Sequence, residues 1–227
     1  MPVISHEHRI LFVHIPKTGG SSIELFFTGY DWITASAEEY AIYLAERGRY
    51  REDWGGTLCE GTPDYFSRRL LEKHKTQSEL QAEVGALWGD YTTFTFVRNP
   101  WVRLRSIYDH GRRDGPEKMP PAFRDWILED EPLDHMGQAV FREWVHDWDA
   151  FDFVGRFEHL GRDFARLLER IGLDPAAPLP HEAHGGNRRH AADGWDAAAR
   201  ERVAARCAAE IARFGHRFED ALALAAA

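Results

Sequence analysis

The chain has 227 residues, 44% of them hydrophobic, enough to bury a substantial core within one domain. A formal net charge of −9 argues against nonspecific nucleic-acid binding. No apolar run reaches the length of a membrane span, and the first six residues lack the charged-then-apolar pattern of a signal peptide. Two cysteines, Cys59 and Cys207, make no disulfide framework, and cytoplasmic thiols are the simpler reading. The arginine- and alanine-rich composition fits a bacterial source.

In chain order, the first element is the apolar run Ile10–Val13, which reads as a buried strand. A glycine-rich turn follows, His14-Ile15-Pro16-Lys17-Thr18-Gly19-Gly20-Ser21-Ser22, and Ile23–Phe27 reads as the start of a helix. Strand, glycine turn and helix in this order gather backbone N–H groups and a helix N-terminus around one small space, which suits a phosphate or sulfate. Lys17 adds a positive charge, and Thr18, Ser21 and Ser22 add hydroxyls. A nucleoside-triphosphate loop places its lysine after the glycines; here Lys17 precedes them.

Residues 37–47 read as helix, and 53–57 and 60–63 as loops. A second strand, Thr92–Val97, runs into Arg98-Asn99-Pro100-Trp101, where Asn99 is a good N-cap and Pro100 suits the first helical position. Arg98 then sits at the carboxyl end of a strand, the edge where open α/β sheets bind ligands. Ser106 lies about two turns into that helix. Residues 98–113 hold five arginines against Asp109 alone. Arg103 and Arg105 cannot share one helix face, so some of the five must be solvated or paired elsewhere.

Farther on, Trp126, Trp144 and Trp148 stand at helix-like positions and read as core anchors. A late strand begins near Phe151, followed by a helix carrying Leu160, Phe164, Leu167, Leu168 and Ile171. The tail from Ala197 reads as alanine-rich helix with frayed last residues. The recurrent strand–helix alternation predicts an α/β fold, a mostly parallel sheet with helices on both faces. No His/Cys/Asp/Glu cluster shows metal-ligand spacing, so no metal is expected.

Lys17-Thr18-Gly19-Gly20-Ser21-Ser22 resembles the 5′-phosphosulfate loop of sulfotransferases that use 3′-phosphoadenylyl sulfate (PAPS). Arg98-Asn99-Pro100-Trp101-x-Arg103-x-x-Ser106 is similar to their 3′-phosphate motif. The likeness is to the carbohydrate, family-2-like branch. It extends to Lys73-His74-Lys75-Thr76, to Val154-Gly155-Arg156-x-Glu158-x-Leu160 and to Ile211-x-x-Phe214-Gly215-His216-x-Phe218. The resemblance implies a single domain over residues 1–227 with the P-loop-like sulfotransferase fold, and residues 37–72 and 111–150 as insertions on the acceptor side. It implies PAPS as sulfuryl donor, a hydroxyl acceptor on a sugar or glycoconjugate, and no metal.

By the same resemblance, Lys17 stabilises the bridging oxygen, Thr18, Gly19, Gly20, Ser21 and Ser22 hold the 5′-phosphate, and Arg98 and Ser106 bind the 3′-phosphate. His74 falls where related enzymes place an essential histidine and is the leading general base; imidazole titrates near neutral pH. Glu60 is the rival base. The loop around Asn187, Arg188 and Arg189 departs from the relatives, and Arg188 is taken as its cofactor contact. His14 reads as a packing residue. Two alternatives stay open: a P-loop-like nucleotide kinase or hydrolase, and a non-catalytic protein that binds PAPS or its product.

Overall fold

The computed structural model describes residues 3–5, 8–28, 49–53, 56–60, 64–66, 74–180 and 194–221. The chain forms two compact units: Met1–Val97 with Glu143–Glu182, and Arg98–Arg142 with Ala183–Ala227.

The first unit is built on a seven-stranded sheet. Its strands are β1 (Val3–Ser5), β2 (Ile10–Val13), β3 (Arg49–Asp53), β4 (Gly56–Glu60), β5 (Asp64–Phe66), β6 (Thr92–Val97) and β7 (Phe153–Arg156), in the order β3-β4-β5-β1-β2-β6-β7. β2, β6 and β7 are parallel, in the register Phe12↔Phe94 and Phe94↔Phe153. This parallel part matches the alternation seen in the sequence. β1 and β3–β5 extend it through antiparallel pairs.

Apolar residues in β2 serve both faces of the sheet, because neighbouring side chains on a strand point to opposite sides. Ile10 and Phe12 pack with Phe94 and Phe96 of β6 against helices α1 (Gly20–Thr28) and, later in the chain, Leu160–Arg170. Leu11 and Val13 pack on the opposite face against Leu80 and Val84 of α2 (Gln77–Val84). A short helix, α3 (Leu87–Asp90), leads into β6. Thr95, fully buried within β6, donates its hydroxyl to the Val13 carbonyl at 2.8 Å, which leaves no polar group stranded there.

Of the expected loops at 53–57 and 60–63, Asp53 instead ends β3 and Gly56–Glu60 forms β4, with Asp53 opposite Gly56, while residues 54–55 and 61–63 lie outside the described residues. A glycine at position 56 punctuates a strand edge as readily as a loop, and pairing with β3 and β5 settles the strand. The expected helix at 37–47 lies outside the described residues.

In the second unit, α4 (Pro100–Asp114) starts as the sequence predicts: the Asn99 side chain accepts from Trp101 N–H, and Pro100 opens the helix. Trp101, Leu104, Ile107 and Tyr108 form its core face with Phe123, Trp126 and Ile127 of α5 (Phe123–Ile127) and with Ala199 and Val203. Trp126 is fully buried, with its indole N–H on the Leu133 carbonyl at 2.7 Å. In the first unit, Trp144 is buried as well. The core-anchor reading of these two tryptophans holds, and Trp148, partly buried beside Trp144, opens a short 3-10 turn, but α5 itself ends at Ile127, ahead of Pro132 and a turn at Gly137. The helix Leu160–Arg170, α6, has Phe164, Leu167 and Leu168 on its buried stripe. The tail forms α7 (Ala197–Arg206) and α8 (Ala208–Phe214), closed by left-handed Gly215. Its last six residues lie outside the described set.

Candidate active site

The turn between β2 and α1 has a distinctive backbone. Lys17 takes φ +64° and Gly19 φ +86°, while Thr18 between them keeps the ordinary negative sign. Alternating hand over consecutive residues turns successive N–H groups toward one concavity, the arrangement that binds anions. A left-handed lysine is strained by about 1–2 kcal/mol, and such strain gathers at ligand clamps. Thr18 is fully buried and donates its hydroxyl to the Ile15 carbonyl at 2.8 Å, which locks the turn from inside. Lys17, Gly19 and Ser21 are half-buried, whereas Gly20 and Ser22 are buried.

Gly20 is required by space and Gly19 by its positive φ. A Cβ on Gly20 would lie 2.2 Å from the His14 ring, and one on Gly19 would meet Leu160 at 2.8 Å. His14 is 3% exposed, stacks on Phe12 at 5.5 Å and hydrogen-bonds Glu24 through Nδ1 at 2.7 Å. The packing role read for His14 is present, and a hydrogen-bonded carboxylate comes with it. Sequence reasoning missed Glu24, which is fully buried. Its signal was visible: a lone carboxylate within the apolar run Ile23–Phe27 needs a partner.

His74 lies against this loop. Its Nδ1 is 3.0 Å from the His14 carbonyl, and its ring meets the His14 ring edge-on at 4.4 Å. A carbonyl only accepts, so Nδ1 carries a proton; in the neutral ring Nε2 then holds the lone pair, the tautomer a general base requires. The Trp144 ring lies 6.0 Å from the His74 ring.

The segment after His74 is pinned. Thr76 caps α2 in a reciprocal capping box with Glu79. Gln77, fully buried, donates from its backbone to Trp144 O and from its amide to Asp147 O, and accepts from the His146 and Asp147 N–H groups at 3.1 and 2.9 Å. Gln77 is the second residue the sequence did not disclose. Lys75, beside His74, is ion-paired with Glu83.

The second unit presents Arg98 directly after β6 and Ser106 on α4, both half-buried. The other arginines of this stretch have partners of their own within the unit, as the face argument required. Arg103, 3% exposed, pairs with Glu210 at 3.3 Å. Arg105 pairs with Asp109 at 2.9 Å and lies over the Phe123 ring. Arg112 donates to the Pro116 and Met119 carbonyls, and Arg113 pairs with Asp114. Glu60 ends β4, and its side chain lies outside the described set, as does Arg188. Spacing gave no metal cluster, yet His110, Asp114 and His135 come together in this unit.

Among the described residues, no helix is long and apolar enough to cross a membrane. A search of curated proteins returns no match. A crystal structure of a sulfotransferase from Alicyclobacillus acidocaldarius shares 17% identity at a TM-score of 0.42, over 90% of this chain and 93% of that one. A sequence profile described as the Sulfotransferase family matches residues 2–213, a span that holds the β2–α1 turn, the His74 segment and the Arg98–Ser106 stretch. By that match the chain is an enzyme of the sulfotransferase family.

Proposed function

We propose that this sulfotransferase moves a sulfuryl group in line from PAPS to a hydroxyl of a sugar or glycoconjugate, with His74 as general base. The observation that carries the reading is the alternating-hand turn at Lys17–Gly19 with base-competent His74 held against the same loop. Enzymes of the family generally use PAPS, and the donor set fits it. The turn offers backbone N–H groups, two serine hydroxyls and a lysine, with no carboxylate among residues 14–22 to repel a phosphosulfate.

In this reading the turn from Thr18 to Ser22 and the start of α1 hold the 5′-phosphate. Lys17 supplies charge where the leaving phosphate becomes more negative, an interaction that strengthens in the transition state. His74 Nε2 takes the acceptor proton, and Glu60 is the rival for that step. Arg98 and Ser106 bind the 3′-phosphate, with Arg188 as a further nucleotide contact. Residues 37–72 and 111–150 line the acceptor side of one catalytic domain. We assign a cytoplasmic location.

Thermal unfolding with adenosine 3′,5′-bisphosphate, and separately with ATP and magnesium, tests the donor. Ligand at 100 times its dissociation constant stabilises by about 2.7 kcal/mol, a shift of several degrees in a protein of this size. The bisphosphate should raise the midpoint, and Arg98→Ala should abolish the rise. A response to ATP and magnesium alone would move the protein to the nucleotide kinases or hydrolases. With a hydroxyl acceptor in hand, His74→Ala should lower turnover about 10²–10⁴-fold and Glu60→Ala much less. The reverse order would make Glu60 the base.

A further inference from the structure

Away from the proposed catalytic loop, the C-terminal end of α4 carries a cluster with a different chemistry. His110 and Asp114 lie one turn apart on the helix, and His135 approaches them from the segment after α5. One ligand atom from each falls within 4.8 Å of the other two. The His110 and His135 rings meet edge-on, with centroids 4.9 Å apart.

The contacts inside the cluster are those of acceptors converging on a cation. His110 Nδ1 lies 2.6 Å from an Arg113 guanidinium nitrogen and 3.0 Å from Asp114 Oδ2. A guanidinium has no lone pair to offer, so Nδ1 accepts from it and is unprotonated. His110 Nδ1 and Asp114 Oδ2 are therefore two acceptors facing each other, with Arg113 bridging them from its bond to Asp114 Oδ1 at 2.6 Å. Tetrahedral zinc, with bonds of about 2.0–2.1 Å, separates its ligand atoms by about 3.3 Å. Acceptor atoms 3.0 Å apart are already close to that spacing. Arg113 is 49% exposed at its side chain and can swing into water.

His135 supplies the independent observation. Its Nδ1 is buried and has no hydrogen-bond partner. A buried imidazole nitrogen without a partner is an uncompensated polar group, and a metal ion would satisfy it. The backbone holds it in place: Asp134 Oδ1 accepts from the Met136 and Gln138 N–H groups at 2.8 and 2.9 Å. The His135 side chain rests on Gly115, where an added Cβ would come within 3.2 Å.

We propose that His110, Asp114 and His135 form a divalent metal site of the zinc class, in which the Arg113 guanidinium occupies the cation position until the metal displaces it. Two imidazoles and one carboxylate favour zinc and its transition-metal neighbours over magnesium or calcium, which take oxygen ligands. Three protein ligands leave a fourth position for water. The ion ties the segment around His135 to the end of α4, so its effect is on stability.

The test is titration of the metal-free full-length protein with zinc chloride by calorimetry, and with cobalt(II) by visible absorption. The chain has 12 histidines, so stoichiometry and variants decide. One equivalent should bind saturably, and cobalt should give the intense bands of tetrahedral coordination. His135→Ala and His110→Ala should each weaken binding at least about 10-fold. Arg113→Ala should tighten it, because the tethered competitor is gone. Absence of one-to-one binding below about 100 μM zinc would overturn the proposal. So would wild-type affinity in both histidine variants, or weaker binding in Arg113→Ala. The cobalt spectrum of the unmodified protein keeps the test independent of how the variants fold.

Discussion

Gly20 and Lys17 set opposite demands within four residues. At Gly20 the demand is space: a methyl group would sit 2.2 Å from the His14 ring, which is itself held by Glu24. Gly20→Ala must push that ring off its carboxylate, and we expect a loss of about 2–3 kcal/mol in urea unfolding. At Lys17 the demand is conformational, since φ +64° suits glycine better than any other residue. Lys17→Gly and Lys17→Ala both remove the ammonium, and turnover in both should fall at least about 10²-fold. Their stabilities should differ, the glycine variant exceeding the alanine variant by about 1 kcal/mol. Equal unfolding midpoints would mean the turn carries no strain at this position.

Elements position these residues, and the capping of α2 has the most direct bearing on His74. Thr76 and Glu79 satisfy each other's backbone two residues after His74. Thr76→Ala should lower stability by about 1 kcal/mol and, by loosening the segment that carries the proposed base, reduce kcat more than it changes KM. An unchanged kcat would mean that the Gln77 clamp alone holds His74. Legibility from sequence follows the same division between local and distant causes. β2, β6, the Asn99–Pro100 start of α4 and the apolar stripe of α6 were readable because apolar runs, caps and helical spacing are written in neighbouring residues. The β3–β4 pair was missed because Gly56 reads as loop punctuation as readily as a strand start. Gln77 meets its partner Asp147 across 70 positions, and His135 stands 25 residues beyond His110, separations that no periodicity encodes. Glu24 was the exception, legible as a charge inside an apolar run.

Stability of the whole molecule should respond to pH at both ends for identifiable reasons. On the acid side, burial pushes the Asp114 carboxyl up. The hydrogen bond from Arg113 and the positive charge around the carboxylate outweigh it, and the group ends below its ordinary value. Its contribution is present at neutral pH and is lost as pH falls through that lowered value. On the alkaline side, burial pushes the Cys207 thiol up from 9.0 to about 11, with only partial relief from Arg103. A raised value means that the folded state holds its proton more tightly than the unfolded chain does. The contribution is then complete below about pH 9 and is lost as pH rises toward 11. A shift of two units corresponds to about 2–3 kcal/mol. Tyr108, whose hydroxyl donates to the Pro120 and Pro121 carbonyls, is also raised by burial and adds to the same limb. Urea midpoints measured from pH 8 to 11 should therefore fall steeply for the wild type. Cys207→Ala removes the cysteine share and should flatten the curve between pH 9 and 11, leaving the tyrosine part. Parallel curves for the two proteins would show that the buried thiol does not couple ionisation to folding.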